Sequence, residues 1–123
     1  MAKQRLVNTK FWSDTYVSNL DPTEKLLFLY FITNEKTNIA GIYEVPLKFV
    51  AMETGIEKEM IEKIIKRFAA EEKIYYIDGW VFVRNFQKHQ TTSSSKVRTG
   101  IDIEMAKVPD RIRAKIKGIC KGG

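Results

Sequence analysis

The chain has 123 residues, of which 44% are hydrophobic and 29% charged, and its net charge is +6. This composition is typical of a folded domain with an apolar core and excludes an intrinsically disordered chain. A single cysteine and a single histidine exclude a disulfide scaffold and a Cys/His zinc site, and the longest apolar run, residues 26–32, is far shorter than the roughly 20 residues of a membrane span.

The positive charge is concentrated near the C-terminus. Residues 1–90 carry 13 basic and 12 acidic side chains, whereas residues 91–123 carry 8 basic and 3 acidic ones. A basic segment beside a nearly neutral domain favours an acidic partner, most often nucleic acid, and a solvated flexible tail is the alternative. We predict a folded domain over residues 1–90 and a polar linker with a basic, weakly helical extension over 91–123.

The first long helix has clear start signals. Asp14 and Asn19 bracket one short helical turn, and Asp21, Pro22 and Glu24 then match an N-cap, a first helical residue and a capping box. The predicted helix ends near residue 33. Its segment 26–32 is apolar on every face, so it requires cover all round, either from the N-terminal segment or from another copy of the chain. We therefore expect a homo-oligomer formed through this helix.

The middle of the chain predicts a strand and two helices. Residues 41–45 are short and rich in β-formers, and residues 46–54 and 56–73 form helices separated by Gly55, where a turn needs positive φ. Ala51 is small where the two helices cross. The apolar positions of the second helix predict one buried face: Ile56, Met60, Ile61, Ile64, Ile65 and Phe68.

A hairpin and two weaker helices follow. Residues 74–77 and 80–83 are β-rich and are joined by Asp-Gly, the strongest short-range hairpin signal. On such a strand, one of the neighbours Tyr75 and Tyr76 should be exposed. Residues 91–96 are polar like a linker, and apolar residues at helical spacing predict helices on both sides of Pro109.

The element order predicts an α+β fold, specifically a winged helix-turn-helix with a two-stranded wing and a C-terminal helical extension. Winged helices place the second helix of the pair in the major groove and the wing against phosphates. The candidate DNA contacts are Lys58, Lys63, Lys66, Arg67, Arg84, Lys88, Lys96 and Arg98. Three glutamates, Glu57, Glu59 and Glu62, lie among them and oppose phosphate binding, so a protein-interaction module is a serious rival.

Several stretches resemble phage replisome organisers, which are relatives of the N-terminal domain of the primosomal protein DnaD. They are FWSDTYV (11–17), LDPTEKLLFLY (20–30), TNIAGIYE (37–44), ETGI (53–56), DGW (78–80), NFQKHQ (85–90) and the region 96–101. The resemblance spans about residues 5–109. It implies a self-associating winged-helix domain that acts in replication initiation, with other replication proteins as further partners. Longer members add a helical domain, and this sequence stops at residue 123, too soon for it. We therefore expect either a fragment or a short member that works through the winged helix and the basic tail alone, which puts helicase loading in doubt for this chain.

No pattern of catalytic residues is present. His89 has no evident nucleophile or orienting acid, and no glycine-rich phosphate loop or carboxylate pair occurs, so we expect no enzymatic activity, cofactor or metal. Without a signal segment we expect a cytoplasmic location. Replication initiation is the leading hypothesis; an oligomerisation scaffold and a winged-helix transcriptional regulator are the alternatives.

Overall fold

The computed structural model describes residues 5–84, 86 and 95–121 and has an α+β architecture. After a 3₁₀ turn at Thr9–Ser13, the described helices are α1 (Thr15–Ser18), α2 (Pro22–Thr33), α3 (Leu47–Thr54), α4 (Lys58–Ala70), α5 (Ser95–Ala106) and α6 (Asp110–Lys121). The strands are β1 (Ile42–Glu44), β2 (Ile74–Ile77) and β3 (Trp80–Val83). None of the described helices is long and apolar enough to cross a membrane.

Helix α2 starts and ends where the sequence predicts. The Asp21 carboxylate accepts the Glu24 backbone N–H, and the Glu24 carboxylate accepts the Asp21 N–H, both at 2.9 Å, which confirms the capping box. The N-terminal segment provides part of the expected cover, because the rings of Phe11 and Tyr16 each lie 5.9 Å from that of Phe28. Cover is incomplete, since Leu26 remains 45% exposed.

The turn between α3 and α4 depends on backbone conformation. Gly55 has φ +76° and donates its N–H to the Ala51 carbonyl at 2.9 Å, and no heavy atom lies within 4 Å of the position a Cβ would take. The glycine is therefore required for its left-handed conformation and not for space. Helix α4 is shorter than predicted and begins at Lys58, after Ile56.

The predicted buried face of α4 is wrong at Met60, which is 45% exposed. Because Ile56 precedes the helix, its spacing of four residues to Met60 does not place the two side chains on the same helix face. At 100° per residue, Met60 lies about a quarter turn from the centre of the buried stripe. The other predicted positions are buried in the main core: Ile56, Ile61, Ile64, Ile65 and Phe68.

The three strands form an antiparallel sheet in the order β1-β3-β2. The hairpin is confirmed, with Asp78 at φ +48° and Gly79 at φ +90° in its turn. Strand β1 pairs with β3 through Tyr43 opposite Val81, and this pairing had no signal in the sequence. One face of the sheet packs on α2, α3 and α4 in the main core.

The other face of the sheet is covered by the C-terminal helices. Val108, Ile112 and Ile116 are buried with Ile42 and Phe82 in a second cluster. The two predicted helices are thus confirmed, and the described part of this segment is docked on the sheet instead of extending into solvent as a flexible tail. Residues 95 and 96 of the predicted linker lie in α5, and residues 91–94 lie outside the described residues.

This docking also corrects the expectation of an exposed tyrosine on β2. Tyr75 stacks on Phe82 with ring centroids 5.8 Å apart and packs against the second cluster. On the opposite face, the Tyr76 hydroxyl donates to the Val45 carbonyl at 2.7 Å. Both residues are half-buried because each face of the sheet has its own helical cover.

Candidate nucleic-acid interface

Helix α4 presents a surface of mixed charge on which three lysines are unpaired. Lys58, Lys63 and Lys66 are exposed and form no ion pair with any residue that the structure describes. They point outward because the apolar residues of α4, from Ile61 to Phe68, face the core and leave the polar positions between them on the solvent side. Glu59 and Glu62 are exposed on the same helix, so its outward charge is only weakly positive.

Arg67 is already engaged in ion pairs with other residues of the chain. Its Nη1 donates to both carboxylate oxygens of Glu24, at 2.5 and 2.6 Å, and its Nε donates to Glu71 at 3.0 Å. The Glu24 side chain is only 10% exposed, so Arg67 compensates a buried charge. The hydrogen bond to Glu24, followed by that to Glu71, raises the pKa of Arg67 above its usual value.

The same network reaches the N-terminal segment. The Tyr16 hydroxyl donates to Glu71 at 2.9 Å, and burial, followed by this hydrogen bond, raises the pKa of Tyr16 well above its usual value. Arg67 therefore joins α1, α2 and α4 into one framework. The phosphate contact expected of Arg67 from the sequence stays a prediction, and it would have to compete with these ion pairs.

Arg84 directly follows β3, at the end of the hairpin opposite the Asp78–Gly79 turn. The four residues of β3 between them place it roughly 16 Å along the strand from Gly79. Its guanidinium pairs with Glu72 at 3.7 Å, and the Arg84 side chain is only 22% exposed. Arg84 is thus a residue of the hairpin base and not of its tip.

The remaining predicted contacts lie in the C-terminal part of the chain. Arg98 is exposed on α5. Lys96 lies on the same helix, and Lys88 and His89 lie outside the described residues. The structure therefore distributes the described candidates over α4, the hairpin base and α5.

A charged contact that the sequence did not reveal connects the hairpin turn to α6. The Asp78 carboxylate oxygen Oδ2 accepts from Lys115 Nζ at 2.8 Å and from Arg111 Nη1 at 3.2 Å. The hydrogen bond from Lys115, followed by the attraction of both cations, lowers the pKa of Asp78. The i, i+4 spacing of the two basic residues predicts a common helix face, but their partner lies more than 30 residues away in sequence.

An apolar groove of about 280 Å³ lies between the N-terminal segment, α2 and the hairpin base. Phe11, Phe28 and Phe86 contribute to its lining, and Lys73 lies at its side with its Nζ 4.9 Å from the Tyr16 ring centroid. Trp12, next to the groove, is 57% exposed. The arrangement offers an apolar contact surface. In the part of the chain that the structure describes, no group of three or more His, Cys, Asp or Glu side chains is placed to hold a metal ion.

Comparison of the chain with models of known protein families, with curated proteins and with solved structures gave no significant match. The resemblance to phage replisome organisers therefore remains a prediction that depends on the stretches quoted for it.

Proposed function

We propose that this protein is a cytoplasmic DNA-binding winged-helix protein of phage-type replication initiation, a replisome organiser that binds DNA mainly through charge. The fold proposal is supported by the order α3, tight turn, α4, two-stranded hairpin. The replication role is supported by the sequence resemblance alone. The observation that carries DNA binding is the presence of three exposed lysines on α4, each without an ion-pair partner in the described residues.

In this proposal, α4 contacts DNA through Lys58, Lys63 and Lys66. An unpaired exposed lysine gives up no internal ion pair when it binds a phosphate, and each such contact releases condensed counterions from DNA. Arg67 does not take part, because its release would leave the Glu24 carboxylate buried without a cation. Arg84 is placed too far from the hairpin turn for a wing-tip contact.

The test is the salt dependence of binding to a duplex oligonucleotide, measured by fluorescence anisotropy. The double variant Lys63→Gln, Lys66→Gln should lower the slope of log K against log salt by about 1.8, since each phosphate contact contributes about 0.9. The matched control Lys10→Gln, Lys36→Gln removes the same charge from exposed sites outside α4 and should lower the slope much less. Equal slopes for the two double variants would contradict the proposed role of α4.

A second function, a protein-protein scaffold within a replication complex, is favoured by a different observation. Leu26, an apolar residue on helix α2, is 45% exposed. We propose that a second copy of the chain covers this region. Light scattering should then give a dimer or larger assembly, and Leu26→Lys should shift it towards monomer. A monomeric mass at high protein concentration would exclude the scaffold.

Footprinting on candidate DNA sites would separate a role in replication from a role in transcriptional regulation.

A further inference from the structure

Helix α6 is the most basic of the described helices and is firmly held. It carries five basic residues and one acidic residue between Asp110 and Lys121. Its apolar side rests on the sheet, with Ile112 fully buried and Ile116 8% exposed against Ile42 and Phe82. The positions of its outward cations are therefore fixed by the core.

Two of these cations share one anionic oxygen. Arg111 and Lys115 lie one helical turn apart, and both donate to Oδ2 of Asp78. Two positive charges facing a single carboxylate leave one charge uncompensated. The carboxylate oxygen marks a position at which both side chains already bind an anion, in the geometry that a phosphate oxygen requires.

We propose that Arg111 and Lys115 form a phosphate-binding site for nucleic acid, and that the Asp78 carboxylate occupies this site in the free protein. The hairpin turn thereby competes with DNA for α6 and lowers the affinity of the protein. This inference rests on the proposed DNA-binding function and adds a second contact surface to it.

Displacing Asp78 costs little free energy because its ion pairs are exposed. The side chains of Lys115, Arg111 and Asp78 are 53%, 60% and 50% exposed. Exposed ion pairs contribute little to stability, so one can be exchanged for another at low cost. DNA offers many phosphates in place of the single carboxylate, and binding them releases counterions.

The test is Asp78→Asn, which removes the charge and retains the turn, because asparagine tolerates the positive φ of this position. At low salt this variant should bind a duplex oligonucleotide about two- to five-fold more tightly than the wild type, as expected for the loss of an exposed pair. Its slope of log K against log salt should stay close to that of the wild type, because the same phosphates are neutralised in both complexes once Asp78 is displaced. The control Glu35→Gln removes one negative charge from an exposed site elsewhere and should have a smaller effect.

A double-variant comparison assigns the effect to α6. Lys115→Gln should weaken DNA binding. Asp78→Asn should raise the affinity of the Lys115→Gln variant much less than it raises the affinity of the wild type. Equal affinities of Asp78→Asn and Glu35→Gln would overturn the proposal. An unchanged DNA affinity of Lys115→Gln would also overturn it, and this variant leaves the sequence of the hairpin turn intact. Circular dichroism verifies that each variant is folded.

The outcomes distinguish this site from the proposed α4 surface. If Lys63→Gln, Lys66→Gln weakens binding but Asp78→Asn does not strengthen it, the α6 site fails and the α4 function stands. If only the α6 variants change the affinity, the proposed α4 surface fails and the α6 site stands. Anionic phospholipid vesicles serve as the other phosphate source. A gain for Asp78→Asn on vesicles as large as that on DNA would contradict a nucleic-acid site.

Discussion

Two glycines with the same backbone conformation are expected to differ in their tolerance of alanine. Gly41 and Gly55 have φ +74° and +76°, so alanine at either position takes a left-handed conformation that costs roughly 1–2 kcal/mol. Part of this cost is offset, because alanine also restricts the unfolded chain by about 0.4–1 kcal/mol. At Gly55 a Cβ meets no heavy atom within 4 Å, so Gly55→Ala should lower the free energy of unfolding by only about 1 kcal/mol.

At Gly41 the same Cβ would lie 2.6 Å from the Cβ of Phe86, a side chain that is 3% exposed. The Phe86 atom is attached directly to backbone and cannot move away as a flexible chain end would. Overpacking of this kind adds about 1–3 kcal/mol, so Gly41→Ala should cost about 2–4 kcal/mol in total.

Urea denaturation followed by circular dichroism measures both losses, with an unchanged m-value as the sign of two-state unfolding. Gly55→Asn is the control, since asparagine tolerates left-handed backbone and should lose less stability than alanine. If Gly41→Ala and Gly55→Ala cost the same within about 0.5 kcal/mol, steric contact with Phe86 is not the cause and the reasoning fails.

Three further predictions concern the core and the hairpin turn. Tyr43→Phe removes a buried hydroxyl that donates to the Phe31 carbonyl and accepts from Asn34, and should cost about 1–3 kcal/mol in urea denaturation. Ile112→Ala should lower the free energy of unfolding by about 2–5 kcal/mol, because the Ile112 side chain is fully buried between α6 and the sheet. Alanine at the half-buried Ile119 should cost clearly less. Equal losses of stability would contradict the docking of α6. The pKa of Asp78 is lowered, mainly by its hydrogen bond from Lys115, so its ion pairs stabilise the fold at pH values above the unfolded pKa of the carboxyl. This contribution disappears as the pH falls through the folded pKa. The difference in melting temperature between wild type and Asp78→Asn at pH 7 should therefore shrink as the pH falls through that range, and a constant difference would refute the prediction.

The sequence predicted the local features of the fold well, because their signals lie within a few residues. The capping box of Asp21 and Glu24, the break at Gly55 and the Asp78–Gly79 turn each depend on backbone preferences of the residues involved. Helix boundaries were less certain, as α4 shows, since helix ends carry weaker signals than helix interiors.

Contacts between distant segments could not be predicted in the same way. The pairing of β1 with β3, the ion pair between Arg67 and Glu24 and the docking of α6 all join residues that are far apart in sequence. The sequence identifies Arg67 as a cation available for binding. Only the structure shows that it pairs with the buried carboxylate of Glu24. DNA contact by the predicted residues stays a prediction, and one of them, Arg67, is already paired with Glu24 and Glu71 in the structure.

The most direct test of the central claim is a titration of the isotope-labelled protein with a duplex oligonucleotide, followed by amide chemical shifts. The account predicts salt-sensitive shifts along α4, centred on Lys58 to Lys66, together with a second group at Arg111 and Lys115. Shifts confined to the groove at Phe11 and Trp12, or no shifts at low salt, would contradict it.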